Sequence, residues 1–294
     1  MTAEATTARW PAGRPRAYFA LIKPRIIELL LITTVPAMVL AAGGWPDSWL
    51  VIATLIGGTM SAGGANAINN VVDRDIDARM DRTSRRPLPT HSLTVREALV
   101  VGLVLGVGGF VWLWLTTTLL AGILATAALV FYVLVYTMFL KRTTPQNIVI
   151  GGAAGAVPAL VGWAAVTGSL ALPAWILFAI VFFWTPPHFW ALALRFEADY
   201  ARAGVPMLPV VSGERLTTLK ITLYAAVVGV VSLMLVPTAD LGGLYVWSAV
   251  GLGLAFVAVS ASLISHRERA MAAFRFSNLY LTLLFGAVML DVLL

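Results

Sequence analysis

Oxygen-bearing side chains recur every four residues in the stretch NNVVDRDIDARMDRTSRRPLP, which begins at Asn69. Asn69, Asp73 and Asp77 form the series, and Asp81 continues it. A step of four residues turns an α-helix only about 40° beyond a full turn, so the first three side chains should stack along one face. Neighbouring carboxylates repel each other unless a cation lies between them, and hard oxygen ligands suit Mg²⁺. The spacing therefore predicts a Mg²⁺ site.

Basic side chains in the same stretch extend this prediction to a substrate. Mg²⁺ in proteins is commonly held by one or two carboxylates together with substrate phosphates. Arginine side chains can bind phosphate oxygens directly, and five lie close by: Arg74, Arg79, Arg82, Arg85 and Arg86. A second acidic pair, Glu197 and Asp199, follows a later apolar run. Two acidic clusters facing each other across a cavity would hold two metal ions around one diphosphate.

The alternative for this stretch is a solvated charged loop with salt bridges at helical spacing. Two features favour the functional hypothesis. The series starts inside the end of an apolar helix, where charged groups are costly and usually functional. Asn66 and Asn70 add polarity deeper in the same helix.

Other polar residues lie at the ends of apolar runs. Lys141 and Arg142 end the segment YTMFLKRTTPQN, with Tyr136 about one turn inside, and Lys23 and Arg25 flank Pro24. Each basic pair is either a phosphate contact or an anchor at the membrane surface.

His188 lies within FFWTPPHFWALALRF, beside two prolines and several aromatic residues. A histidine inside a membrane span is either a hydrogen-bonded core residue or a ligand, and both alternatives stay open. The rings of Trp184, Phe189 and Trp190 could line a hydrophobic cavity, stabilise a carbocation or face lipid.

The elements that must position these residues are membrane helices. The 294-residue chain is 60% hydrophobic and only 12% charged, well below the roughly 25% charged residues of an average soluble domain. It has no cysteine, which excludes disulfides and thiolate chemistry. A spanning helix needs about 20 apolar residues. Nine runs qualify, near 26–44, 49–72, 96–115, 118–140, 147–167, 172–195, 217–237, 242–264 and 272–293. The predicted fold class is an all-α, multi-pass membrane protein with nine transmembrane helices around a central cavity.

The charge distribution predicts the orientation. With a cytoplasmic N-terminus and nine crossings, all twenty Lys and Arg residues fall on the cytoplasmic side or at its boundary. We therefore expect the site on the cytoplasmic side and the C-terminus on the opposite side. Residues 1–25 are predicted to form a cytoplasmic segment and residues 26–294 a single nine-helix domain. A bacterial plasma membrane is the expected location.

The asparagine–aspartate series and the second acidic site resemble those of the UbiA superfamily of intramembrane prenyltransferases. Within it, five stretches resemble the protohaem IX farnesyltransferases: LIKPRIIELLLITT, NNVVDRDIDARMDRTSRRPLP, YTMFLKRTTPQNIVIGGAAGAVPALVGW, WTPPHFWALALRFEADYARAGVPMLPVVSGE and FSNLYL. They extend from the first to the ninth predicted helix. DRDIDARMDRT and DYARAGVPMLPVV are the most specific of these motifs.

The resemblance implies transfer of a farnesyl group from farnesyl diphosphate to a vinyl group of haem b, with Mg²⁺ as cofactor. It implies Asn69, Asp73, Asp77 and Asp199 as metal ligands, with Asp73, Asp77 and Lys141 catalytic. The substrate-binding residues that we predict are Asn69, Lys23, Arg25, Arg74, Arg82, Arg86, Tyr136, Arg142, His188 and Arg195. His188 would bind the haem iron or orient a propionate, and Arg195 would pair with a propionate.

One motif departs from the superfamily pattern. The pattern Y-x-x-x-K becomes Y-x-x-x-x-K from Tyr136 to Lys141. In an α-helix the extra residue turns the two side chains about 100° further apart, so we expect Lys141 and Arg142 to contact phosphate more reliably than Tyr136.

Other functions remain open from the sequence. A quinone precursor or a chlorophyllide could be the acceptor of a UbiA-type enzyme. An ion-coupled transporter and a non-catalytic haem chaperone are the alternatives from other classes. Haem A synthase or oxidase assembly factors are candidate partners, and no nucleic-acid partner is expected.

Overall fold

The structure of the protein, a computed structural model, describes residues 13–294, and within this range only the backbone of residues 25–31. The described residues form helices joined by short turns and contain no β-strand. The predicted all-α class is therefore confirmed.

Nine long helices make up the part of the bundle that residues 13–294 form. They are α1 Pro24–Ala42, α2 Ser48–Val72, α3 Val95–Thr116, α4 Leu119–Thr143, α5 Asn147–Thr167, α6 Leu172–Arg195, α7 Leu208–Ala239, α8 Gly243–Ser262 and α9 Ala270–Leu293. Eight of them, α2 to α9, are long and apolar enough to cross a membrane. The remaining predicted span coincides with α1, whose described apolar part is Ile32–Ala42.

Shorter helices lie before α1 and between the long ones. They are Arg14–Leu21, Arg74–Arg79, Glu197–Arg202 and the 3₁₀ turn Arg267–Arg269. Asp77 lies on the second of these, and Glu197 and Asp199 lie on the third, so the two predicted acidic sites lie at or just after the C-terminal ends of α2 and α6.

Local signals in the sequence set where several helices begin. At the start of α3, Thr94 Oγ1 accepts from the backbone N–H of Glu97 while Glu97 Oε2 accepts from the backbone N–H of Thr94. This capping box satisfies two backbone donors that would otherwise lack partners. Asp47 and Thr118 similarly accept from backbone N–H groups at the starts of α2 and α4.

Glycine allows α2 to lie close against α3. A Cβ atom at Gly64 would lie 2.7 Å from the backbone oxygen of Gly102, and one at Gly109 would lie 2.9 Å from the backbone nitrogen of Ser61. Small residues of this kind let membrane helices approach at backbone distance. The close approach holds the end of α2, and hence the acidic series, in a defined position.

The main hydrophobic core lies among α1 and α5 to α9. Its largest fully buried side chains are Trp184, Tyr245, Phe256, Tyr280 and Phe285. Apolar side chains on α3 and α4 are instead widely exposed on the outside of the bundle, as at Val104, Leu115 and Phe139. Exposure of that kind fits helices whose outer faces meet lipid.

The seventh predicted span begins too late. The prediction placed it at 217–237, whereas α7 starts at Leu208. Gly213 interrupts the helix with a positive φ of 74°, a conformation that glycine adopts at low cost. Pro209 sits in the first turn of α7, where proline is tolerated, so it does not prevent the helix from starting there.

Candidate active site

The acidic series lies where α2 passes into the helix Arg74–Arg79. Asp73 has φ −86° and ψ 3°, outside the helical region, yet the backbone bonds continue across it. The Asp73 N–H donates to the Asn69 carbonyl at 2.9 Å, and the Asp77 N–H donates to the Asp73 carbonyl at 2.7 Å. Because this four-residue hydrogen-bond pattern persists, the sequence spacing translates into a continuous series. All three side chains are buried, with Asp73 fully inaccessible.

In the structure, basic side chains supply the cations that the acidic series requires. Asn69 turns its amide toward Asp73, and Nδ2 donates to Asp73 Oδ2 at 2.8 Å. Lys141 Nζ lies 2.5 Å from the same oxygen. Arg86 Nη1 lies 2.9 and 2.8 Å from the two oxygens of Asp77. Basic groups from α4 and from the loop after α2 therefore compensate the carboxylates, a pairing that the spacing of the series does not reveal.

One oxygen at the centre of the series is left without a partner. Asp73 Oδ1 is sealed from solvent and accepts no hydrogen bond, and the guanidinium of Arg142 lies 3.9 Å away. A buried carboxylate oxygen without a donor is costly unless something binds it. The site offers hard oxygen ligands that fit Mg²⁺, from the carboxylates of Asp73 and Asp77 and the side-chain amide of Asn69. Within the described residues, no three His, Cys, Asp or Glu side chains converge, so the protein alone does not form a closed metal cage.

Lys23 joins the series from the opposite side. Its Nζ lies 2.6 Å from Asn69 Oδ1. The amides of Asn66 and Asn70 hold the chain just before it, because they donate to the carbonyls of Ile22 and Leu21 at 3.1 and 3.0 Å. The asparagines that were predicted only as deeper polarity therefore position a basic group. The side chain of Arg25, also predicted to bind substrate, lies outside the described residues.

The second half of α4 contains a π-helix, which corrects the prediction for Tyr136. Residues Phe131–Leu140 have the wider winding, and the Lys141 N–H donates to the Tyr136 carbonyl five residues earlier. In a π-helix, residues five apart take the place that residues four apart have in an α-helix. Tyr136 and Lys141 therefore lie on the same side of α4, not about 100° further apart. The extra residue in the motif is absorbed by the helix.

Thr137 is a site residue that the sequence did not indicate. It is fully buried, and its Oγ1 lies 3.0 Å from Asn69 Nδ2. The hydroxyl donates to the Tyr132 carbonyl at 2.8 Å, so its oxygen accepts from the Asn69 amide. Both amide hydrogens of Asn69 are then used, by Thr137 and Asp73, which leaves Asn69 Oδ1 facing Lys23. The ring of Tyr132 also stacks on that of Tyr136, with centroids 5.3 Å apart.

The second acidic site contacts the loop after the first. Asp199 is buried and accepts from the backbone N–H of Arg82 at 3.4 Å. Arg202 pairs with both Asp199 and Asp81. The guanidinium of Arg82 donates to the Tyr200 hydroxyl at 3.0 Å. The two acidic sites are thus linked through arginines, and Asp81 belongs to the second site more than to the first.

Three of the residues predicted to contact phosphate or propionate pair with other groups of the protein in the structure. Arg142 forms a two-pronged ion pair with Asp75, with both N–O distances 2.8 Å, and the Arg142 guanidinium holds the pKa of the Asp75 carboxyl far below its usual range. Arg74 donates to the Val71 carbonyl and lines an outer cleft with Asp75 and Arg142. The structure does not bring Arg74 to Asp73 or Asp77. Arg195 is exposed and stacks on the ring of Phe196.

His188 lies inside α6, enclosed by aromatic rings. Its imidazole stacks on Trp184 and Phe274, with centroids 4.3 and 4.4 Å away. Nδ1 lies 2.7 Å from Ser277 Oγ. Trp184 is buried, and Trp190 is buried in a second cluster, whereas Phe189 is 37% exposed. The two tryptophans therefore do not face lipid.

The excess of basic groups around this site suits an anion. Four cationic side chains, Lys23, Lys141, Arg86 and Arg142, surround three carboxylates, Asp73, Asp75 and Asp77. The site stands at one end of an apolar helical bundle. Fold and site together fit the class of intramembrane enzymes that act on substrates with an apolar body and an anionic head.

Comparison with known proteins names this class. The UbiA prenyltransferase family matches residues 30–284, and the chain belongs to that family. Two solved structures share the fold. One, of digeranylgeranylglyceryl phosphate synthase, covers 95% of this chain and 98% of its own, with a TM-score of 0.78 and 19% sequence identity. The other is a UbiA homologue from Archaeoglobus fulgidus bound to DMAPP and Mg²⁺, with a TM-score of 0.69 and 16% identity over 92% of this chain and 99% of its own.

Relatives with higher sequence identity indicate which members of the family the chain resembles. Protoheme IX farnesyltransferase 1 of Saccharopolyspora erythraea is 52% identical over 99% of this chain and 97% of its own length. Protoheme IX farnesyltransferase of Clavibacter michiganensis subsp. michiganensis is 51% identical over 96% of this chain and 94% of its own. The family predicted from the sequence motifs is confirmed.

Proposed function

We propose that this chain transfers the farnesyl group of farnesyl diphosphate to a vinyl group of haem b, giving haem O and releasing diphosphate. The observation that carries the proposal is the identity of about half of all residues, over nearly the whole length, with proteins named protoheme IX farnesyltransferase. The site supports it independently, because an anion-binding cluster at the end of an apolar bundle suits a prenyl diphosphate.

The diphosphate would bind among the basic side chains. Lys23, Lys141 and Arg86 each lie within hydrogen-bond distance of a member of the acidic series. Asn69, Asp73 and Asp77 would hold Mg²⁺, with Asp199 as a second ligand site. When bound, the ion would supply charge neutralisation for the departing diphosphate.

The chemistry begins with breakage of the allylic C–O bond, whose electron pair leaves with the diphosphate. Lys141 and Arg86 would stabilise the growing negative charge from fixed positions, which costs no reorganisation during the reaction. The terminal vinyl carbon of haem b then bonds to the farnesyl carbon. Water adds to the adjacent carbon and loses a proton, which leaves the hydroxyl group of haem O.

The apolar surroundings protect the intermediate. A farnesyl cation that met bulk water would hydrolyse before the C–C bond formed, so the reaction needs a site from which water is largely excluded. The full burial of Asp73 and Thr137 fits that requirement. The stacked rings of Tyr132 and Tyr136 offer an electron-rich surface close to the same end of the bundle.

An activity assay tests the proposal. Purified chain in lipid nanodiscs, supplied with farnesyl diphosphate, haem b and Mg²⁺, should form haem O detectable by mass. Parallel reactions with a quinone precursor and with chlorophyllide should give no prenylated product. Folded protein that prenylates one of these acceptors but not haem b would overturn the acceptor assignment, whereas no diphosphate release with any acceptor would overturn the enzymatic function.

We also propose the location and orientation: a bacterial plasma membrane, with the N-terminus and the site on the cytoplasmic side and the C-terminus opposite. The chain has no cysteine, so single cysteines report accessibility without background. In spheroplasts, a membrane-impermeant maleimide should label Ser169→Cys and should not label Ser92→Cys until the cells are lysed. The reverse pattern would contradict the orientation.

A further inference from the structure

The hydrogen bonds around His188 determine which of its ring nitrogens carries the proton. Ser277 Oγ lies 2.7 Å from the carbonyl oxygen of Phe274, and a carbonyl oxygen can only accept. The one hydroxyl hydrogen of Ser277 therefore points to Phe274. Toward His188 Nδ1, also 2.7 Å away, the Ser277 oxygen must then accept, so Nδ1 bears the N–H.

The surroundings of His188 favour the neutral imidazole. The residue is 93% buried, and its ring lies between the faces of Trp184 and Phe274. Among the described residues no acidic side chain lies in hydrogen-bond contact with it. A charged ring there would place a cation among aromatic side chains without an acidic partner, which is costly. A neutral ring has one N–H. Since Nδ1 carries it, Nε2 holds an unshared electron pair.

Nε2 is both unpartnered and accessible. It makes no hydrogen bond with any described residue, and it is absent from the polar atoms that are sealed off without a partner. The two ring faces are covered, and Phe189 meets the imidazole edge-on at 5.1 Å. The part of the ring left open is therefore the edge that carries the lone pair, the atom through which a neutral histidine binds a metal.

The depth of His188 suits an apolar ligand that contains a metal. His188 lies seven residues before Arg195, the last residue of α6, which places it about 10 Å from that helix end at 1.5 Å per residue. This depth is below the charged site and among aromatic side chains. Metal-binding histidines usually donate their other ring N–H to a fixed oxygen acceptor, and Ser277 supplies that acceptor from α9.

We propose that Nε2 of His188 binds the iron of the haem substrate, and that Ser277 is the positioning residue that fixes the imidazole tautomer. This inference rests on the proposed function, because it takes haem b as the acceptor. It assigns the porphyrin centre to the space beside α6 and α9. It also gives a role to Phe274, whose carbonyl keeps the Ser277 hydroxyl from donating to the imidazole.

A variant with a single histidine provides the first test. The chain has three histidines, and His91 and His266 are both exposed. His91 has a φ of 56°, a conformation that asparagine tolerates, so His91→Asn with His266→Gln leaves His188 alone. This variant, free of any tag and labelled with ¹⁵N-histidine, is titrated with ferric haem b in nanodiscs without farnesyl diphosphate. Pulsed electron paramagnetic resonance should detect coupling of the iron to histidine nitrogen. Bound haem without that coupling would overturn the proposal.

Serine variants then test the positioning role. Ser277→Ala should weaken haem binding about tenfold and change the iron signal, since loss of a partner that orients a metal ligand typically costs 10- to 100-fold in affinity. Ser260→Ala is the matched control, because Ser260 is also fully buried but lies on α8 with no hydrogen bond. Equal effects of the two variants would overturn the role of Ser277. His188→Ala should lose the nitrogen coupling and regain a ligated spectrum with added imidazole.

The two proposals fail separately in these experiments. Haem binding is measured without turnover, so a histidine-ligated spectrum in a protein that makes no haem O supports the ligand and refutes the reaction. Haem O formation by the single-histidine variant without iron–nitrogen coupling refutes the ligand and leaves the reaction intact.

Discussion

Replacement of Asp73 by asparagine probes the centre of the site with almost no change in side-chain volume. Asp73 receives one hydrogen bond from Asn69 and one from Lys141, both at Oδ2, while Oδ1 is buried without a partner. An asparagine has one oxygen and one NH₂ group. If its oxygen keeps the two existing contacts, its NH₂ group must occupy the position of the unpartnered oxygen and present hydrogens where a cation would bind.

The expected loss of kcat/KM in Asp73→Asn follows from those contacts. Hydrogen bonds to charged groups contribute about 1.5–3 kcal/mol each, and the charge-assisted part of the Lys141 contact is lost. Removal of one charged group that stabilises a transition state costs about 3–4 kcal/mol. At about 1.4 kcal/mol for each factor of ten, we expect kcat/KM for farnesyl diphosphate to fall by about 10²- to 10³-fold. Stability should also fall, because the largely buried Lys141 ammonium loses its counter-charge although the amide oxygen can still accept its hydrogen bond.

The assay measures haem O by mass spectrometry at varied farnesyl diphosphate concentration, with thermal unfolding in the same nanodiscs to establish folding. Asp81→Asn is the matched control, since the Asp81 side chain is 83% exposed and pairs with Arg202 on the surface. Exposed ion pairs contribute at most about 1 kcal/mol, so that variant should stay within a few-fold of wild type. Activity of Asp73→Asn within threefold of wild type, or an equal loss in Asp81→Asn, would refute the assignment of Asp73 to the reaction.

Three further predictions follow from the site. Gly151→Ala should lower activity and stability, because the added Cβ would lie 2.2 Å from the Tyr136 ring. Gly155→Ala, one turn later, is the control and should have little effect, because a Cβ there meets no atom within 4 Å. Equal unfolding temperatures for the two variants would contradict this packing. Thr137→Val keeps the shape of the side chain but leaves one buried hydrogen of the Asn69 amide without an acceptor. The variant should therefore lose about 1–3 kcal/mol of stability and have a lower kcat/KM. Unchanged kinetics would contradict the inferred orientation of the Asn69 amide. Removal of divalent cations with EDTA should abolish haem O formation and added Mg²⁺ should restore it, while haem binding stays unchanged; full activity in EDTA would remove Mg²⁺ from the proposal.

Much of the fold could be predicted because membrane helices are specified locally. Each span must satisfy its backbone groups internally and present apolar side chains to lipid, so length and composition suffice to find it. The predicted start of α7 is wrong because the helix begins at Leu208 and continues past a break at Gly213. The apolar run in the sequence does not reveal such a break.

The sequence by itself determined the acidic series and its chemistry. The four-residue spacing of Asn69, Asp73 and Asp77 is a property of the helical repeat, and their backbone bonds follow it even where α2 ends. The arginines and lysines nearby were also evident. Which carboxylate each of them meets was not, because Lys141 is 68 residues from Asp73 along the chain, and such pairs depend on how α2 and α4 pack.

Only the tertiary structure decided the rest of the site. The π-helix in α4 brings Tyr136 and Lys141 to one side, reversing the expectation from a regular α-helix. Helix winding of this kind arises where an extra residue must be fitted between two packed neighbours, so local propensity does not predict it. The protonated nitrogen of His188 likewise depends on Ser277, 89 residues away. A hydrogen-bond direction belongs to the arrangement of donors and acceptors in space, and no spacing along one helix contains it.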